Sequence, residues 1–170
     1  GRFDGAKASG MYKWGLGPAL DQLFLQSNLG IVLSMTIWLM PKPEKFVAFY
    51  LSASNETALE QIVQALVPLK RSGVITSLPH IANAYRVLGG MQQYPWPFVE
   101  KRSVQFPLPG DITEQLKKQW QVGTWNLSGA LYGTKEQVAN AKKQVRKSLR
   151  RVKGARLNFI SDELLRFIEI

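Results

Sequence analysis

The chain has 170 residues, of which 45% are hydrophobic and 20% charged, with no cysteine, one histidine and a net charge of +10. That length and balance suit a folded domain with a buried core and exclude a disordered chain. The missing thiols exclude disulfides and thiolate metal sites, and His80 standing alone excludes any site built from several imidazoles.

Residues 1–20 are rich in Gly and small side chains and read as irregular, and residues 21–26 allow one short helical turn. The apolar run at 29–40 is interrupted by Ser34 and Thr36 and is shorter than the roughly 20 residues a membrane span requires. Its β-branched and aromatic content, ended by Pro41 and Pro43, predicts a buried strand over 31–40. No signal-peptide pattern opens the chain, and a cytoplasmic setting is expected.

A second strand is predicted at 45–53. Ser54 or Asn55 would then cap a helix with Glu56 and Glu60 in its first turn. Ala58, Ile62, Ala65, Leu66 and Leu69 form its apolar stripe, and Gly73 ends it. Val74, Ile75 and Thr76 suggest a short strand, and Pro79 would open a helix through Leu88. Asp111 is placed as the cap of a helix to about Gln121. Alternation over 125–133 predicts a strand, and Thr134 with Gln137 predicts a capping box on a long helix to about Lys153. A strand follows at 156–161. Two β-α-β units, at 45–76 and 124–161, imply an α+β fold: a ferredoxin-like, antiparallel-type sheet with helices on one face.

Three stretches resemble a known family. Gly15-Leu16-Gly17-Pro18-Ala19-Leu20-Asp21-Gln22-Leu23-Phe24-Leu25-Gln26-Ser27-Asn28-Leu29-Gly30-Ile31-Val32, continued by Trp38-Leu39-Met40-Pro41, resembles the end of the flavin-binding domain of the vanillyl-alcohol oxidase and para-cresol methylhydroxylase family. Gly123-Thr124-Trp125-Asn126-Leu127-Ser128-Gly129-Ala130-Leu131-Tyr132-Gly133 resembles a strand of that family's cap domain, and 78–83 joins the two more weakly. The resemblance implies that residues 1–43 are the C-terminal edge of an FAD-binding domain and 44–170 the first part of a cap over the substrate. It further implies FAD as the cofactor of the complete enzyme, with Ser27, Asn28, Gly30, Ile31 and Val32 against it. The glycines would permit close approach and the polar 26–28 turn would supply hydrogen-bond donors. Without the family, the same residues are a turn before a buried strand.

No residue matches the family's flavin-linking or phenolate-holding positions, so no catalytic residue and no metal ligand is assigned. The resemblance implies a fragment, inactive alone, of an enzyme that passes hydride from a small, para-substituted phenolic substrate to flavin. Tyr85, Tyr94, Trp96 and Phe98 are candidates to line its cavity or, equally, to pack in a loop cluster. The other reading is a small basic α+β module for nucleic acid or an acidic protein, using Lys142, Lys143, Arg146, Lys147, Arg150, Arg151, Lys153 and Arg156. Such charge runs on amphipathic helices are commonly solvated faces, and no nucleic-acid motif accompanies this one, so nucleic acid is not an expected partner. Apolar surface left by missing segments would favour self-association. His80 stays unassigned.

Overall fold

Alternation along residues 45–53 sends Val47, Phe49, Leu51 and Ala53 into a core and leaves the intervening side chains half-exposed. This strand, β1 (Lys45–Ala53), is the hub of a computed structural model that describes residues 11, 20–101 and 108–161. The chain divides into two compact units, Gly1–Lys42 and Pro43–Ile170.

In the second unit β1 is followed by α1 (Ala58–Arg71), β2 (His80–Asn83), α2 (Ala84–Met91), α3 (Trp96–Lys101), α4 (Gly110–Gln119), β3 (Trp125–Gly133), α5 (Lys135–Leu149) and β4 (Ala155–Ser161). The four strands lie in the order β2-β3-β1-β4 with every neighbouring pair antiparallel. Each β-α-β unit is therefore split: β3 lies between β1 and β2, and β1 between β3 and β4. This is the expected α+β, ferredoxin-like arrangement. Helices α1 and α5 supply Ile62, Leu66, Leu69, Val138, Val145 and Leu149 to one core with the inward residues of β1 and β3. A smaller cluster forms beside it from α2, α4 and Val122, around Leu88, Ile112 and Leu116.

The second β-α-β unit matches its sequence pattern closely. Thr134 Oγ1 accepts from Gln137 N, and Gln137 Oε1 accepts from Thr134 N, completing the capping box. The helix ends at Leu149, before the expected Lys153, and Gly154 turns the chain at φ +68°.

Between residues 54 and 119 the structure departs from the sequence pattern in several places. After Gly73 (φ +74°) the chain folds back on α1, Ile75 N donates to Leu69 O, and Ile75 plugs the core instead of forming a strand. The edge strand lies later, at His80–Asn83, directly after Pro79, where a residue lacking an N–H is tolerated. The helix expected from Pro79 consequently begins at Ala84, capped by Asn83, whose Oδ1 accepts from Arg86 N at 2.9 Å. Neither Ser54 nor Asn55 caps α1: its N-cap is Thr57, without a side-chain bond, and Glu60 is the acidic residue of its first turn. Asp111 likewise lies inside the first turn of α4, whose N-cap is Pro109.

The largest correction concerns the unit Gly1–Lys42. A short 3₁₀ helix spans Asp21–Phe24, but no strand forms over 31–40, and the apolar side chains there are exposed rather than buried. A strand requires a neighbour to take its backbone hydrogen bonds, and among the described residues no strand pairs with this run. The Gly-rich start at 1–10 and 12–19, with Gly15 and Gly17, and the tail at 162–170 lie outside the described residues.

Candidate functional site

The five residues expected at a cofactor lie together on one exposed stretch of the first unit. The 3₁₀ helix Asp21–Phe24 turns at Leu25 and Gln26, the latter in the left-handed region at φ +51°. Ser27 closes the turn: its hydroxyl donates to Leu23 O at 2.5 Å, and Ser27 Oγ accepts from Leu29 N at 3.5 Å. The Ser27 proton is thereby committed within the turn. A Cβ on Gly30 would stand 3.0 Å from the Phe24 ring, which accounts for the glycine by close approach. Asn28, Ile31 and Val32 are exposed, Ile31 at 89%.

In the second unit the sheet has one face under α1 and α5. The other face carries Phe46, Ala48, Tyr50 and Ser52 of β1 opposite Tyr132, Ala130, Ser128 and Asn126 of β3. It continues with Arg156, Asn158 and Ile160 of β4 and His80 of β2. Here α4 stands beside the sheet and encloses a cleft of about 1110 Å³ whose lining includes Tyr50, Ser52, Lys118, Trp120, Arg156 and Asn158.

Asn126 anchors this face. It is 2% exposed, and its Oδ1 accepts from Tyr50 Oη at 2.6 Å and from Gly123 N at 2.9 Å. Its Nδ2 donates to Gly123 O at 2.8 Å, tying β1 and β3 to the turn that follows α4. Gly123 must be glycine: a Cβ would lie 2.4 Å from Ala53 O. Burial pushes the Tyr50 phenol above its ordinary value, which keeps it a donor.

Of the cavity aromatics, Tyr85 lines a smaller, polar cleft of about 530 Å³ with Glu56, Asn83 and Trp125. Tyr94 and Trp96 pack on each other with ring centroids 4.8 Å apart and line neither cleft. The Phe98 side chain lies outside the described residues. Sequence reasoning passed over Tyr50 and Asn126 as site residues. The alternation of β1 marks Tyr50 as belonging to the non-core face, but only the register brings Asn126 to it. Among the described residues no three His, Asp or Glu side chains gather to hold a metal, and no helix is long and apolar enough to cross a membrane.

No protein-family model matches the chain. It is 36% identical over 150 residues to 1'-carboxy-chondrochloren decarboxylase of Chondromyces crocatus, covering 88% of this chain and 27% of that protein. It is 36% identical over 138 residues to the flavoprotein subunit of 4-cresol dehydrogenase (hydroxylating) of Pseudomonas putida, covering 81% of this chain and 26% of that protein. Among solved structures, p-cresol methylhydroxylase with substrate bound superposes with a TM-score of 0.74 at 33% identity, over 95% of this chain and 30% of the other. A 4-ethylphenol oxidase from Gulosibacter chungangensis, in complex with isoeugenol, gives 0.73 at 26% identity, over 92% of this chain and 29% of the other. The chain thus spans between a quarter and a third of the proteins it matches.

Proposed function

The chain belongs to the vanillyl-alcohol oxidase and para-cresol methylhydroxylase family of FAD-linked oxidases, and on that premise we propose that it is the edge of the flavin-binding domain plus the first part of the cap of an enzyme oxidising a small para-substituted phenol. The observation that carries this reading is the match along 95% of the chain to p-cresol methylhydroxylase, at 33% identity. The names of two relatives, acting on 4-cresol and 4-ethylphenol, support the substrate class.

The residues at 27–32 fit a dinucleotide laid along them. The Gln26–Ser27 turn is held internally, Gly30 keeps side-chain bulk away, and the stretch is exposed, with no strand among the described residues taking its backbone groups. In this reading Ser27 shapes the turn. Asn28 and the backbone of Gly30, Ile31 and Val32 meet the cofactor through hydrogen bonds. FAD, when bound, supplies the acceptor for a hydride leaving the carbon attached to the phenol ring. The cap residues exclude water and shape the space over the substrate. With no residue matching the family's flavin-linking or phenolate-holding positions, the chain alone is inactive.

Titrating the purified chain with FAD at moderate salt, followed by flavin fluorescence, tests the cofactor edge. Saturable binding weakened at least about tenfold in a Ser27→Ala, Asn28→Ala double variant is expected, the loss of one or two good polar contacts. Binding indifferent to both changes would remove these residues from the cofactor site, whereas no binding would mean that the cofactor edge depends on the rest of the enzyme and would leave the family assignment standing.

A further inference from the structure

The basic helix is the one sequence feature that the flavin reading leaves unused, and the structure sorts its cations. Arg156 belongs elsewhere: it is opposite Ser52 on the cleft side of the sheet. Lys143, Arg146, Lys147, Arg150, Arg151 and Lys153 remain as an exposed ridge along α5 and the turn after it, with Lys142 half-buried at its base.

Three observations separate this ridge from an ordinary solvated helix face. None of its cations is ion-paired to a carboxylate among the described residues, so like charges are held side by side uncompensated. The ridge is also rigidly presented. The capping box fixes the start of α5, Val145, Leu149 and Val152 are in the core, and the closing turn is pinned by Gln61 Oε1 accepting from Lys153 N and Asn55 Nδ2 donating to Lys153 O. Finally, α5 packs on the face of the sheet opposite the 1110 Å³ cleft, so an occupant of the ridge leaves that cleft open.

We propose that the outer face of α5 is a docking surface for an acidic protein. Lys143, Lys147 and Arg150 succeed one another at helical spacings of four and three, which sets neighbours roughly 5–6 Å apart, a distance matched by carboxylates on one face of a partner helix. Arg146, Arg150 and Arg151 offer guanidinium forks suited to two-point pairing with carboxylates. A single-stranded nucleic acid would seek aromatic rings for its bases as well as cations. The aromatic ring at this ridge, Phe159, is capped by Lys142 Nζ at 5.0 Å and Arg146 at 5.3 Å and packs on Phe49.

The test uses the full 170-residue chain and fluorescence anisotropy with a labelled poly-glutamate peptide of about 20 residues, at low salt and at about 150 mM. A ridge variant carrying Lys143→Glu, Lys147→Glu, Arg150→Glu and Arg151→Glu is compared with a control of equal net charge carrying Lys42→Glu, Arg71→Glu, Arg86→Glu and Lys118→Glu. A third variant with Gln at the four ridge positions guards against misfolding of the reversed one, and the far-UV circular dichroism of all three is measured. Loss of about thirtyfold or more in the ridge variant, an intermediate loss in the Gln set and under about threefold in the control are expected. Equal losses in ridge and control variants would overturn the proposal by reducing the effect to net charge. An oligonucleotide of matched charge bound more tightly than the peptide, through the same four positions, would overturn it in favour of nucleic acid.

Discussion

Two apolar runs in this chain look alike as text and end in opposite states. Residues 31–40 and 45–53 are both rich in β-branched and aromatic side chains, and both satisfy the pattern of a strand. The second became the centre of a sheet, with Phe49 1% exposed, while the first forms no strand and leaves Leu33 94% exposed. β1 finds β3 on one side and β4 on the other, which take its backbone hydrogen bonds, and two helices that cover its apolar face. Nothing within residues 20–42 offers the first run either service. Strand propensity is thus a permission that only neighbours convert into structure.

The sharpest way to break this comparison is to truncate one side chain in each run. Phe49→Ala should cost about 3–5 kcal/mol, since it removes a buried ring packed on Phe159. Leu33→Ala should change stability by no more than about 0.5 kcal/mol. Urea denaturation monitored by tryptophan fluorescence measures both, and similar costs would mean that the first run is buried in solution.

A smaller effect is expected on the cleft side of the sheet. Asn126→Ala strips partners from Gly123 and Tyr50 and should cost about 2–3 kcal/mol. The Tyr50 phenol adds a pH signature. Its folded pKa is raised above the ordinary 10.0, so the folded state holds its proton longer than the unfolded state. The associated stability is present below pH 10 and is lost as pH rises through the folded value. Denaturation midpoints measured from about pH 9 to 11 should fall for the parent chain and flatten for Tyr50→Phe. A Tyr50→Phe profile as steep as the parent's would assign the loss to another group.

The smallest change tests the half of the fold that local pattern describes best. Thr134→Ala removes the N-cap acceptor of α5 and should cost about 1 kcal/mol, visible as a lower thermal midpoint. No shift would mean that packing against α1 and β3 holds that helix without its cap.

These elements also show how far the sequence could be read. The capping box at Thr134 and Gln137, the stripe of α1 and the alternation of β1 and β3 are local rules whose partners lie within a few residues, and they specified helices, strands and the α+β class. The family was legible too, through the 15–32 and 123–133 blocks. The placing of β2 was not, because Val74-Ile75-Thr76 and His80-Ile81-Ala82-Asn83 compete for the same edge. The fold-back at Gly73, which sends Ile75 into the core, settles that competition. Nor could the sequence pair Tyr50 with Asn126, 76 residues away, or separate Arg156 from the α5 cations it follows in the chain. Those relations depend on register, and a strand sends successive side chains to opposite faces, so each residue's side and neighbour exist only once the strands have paired.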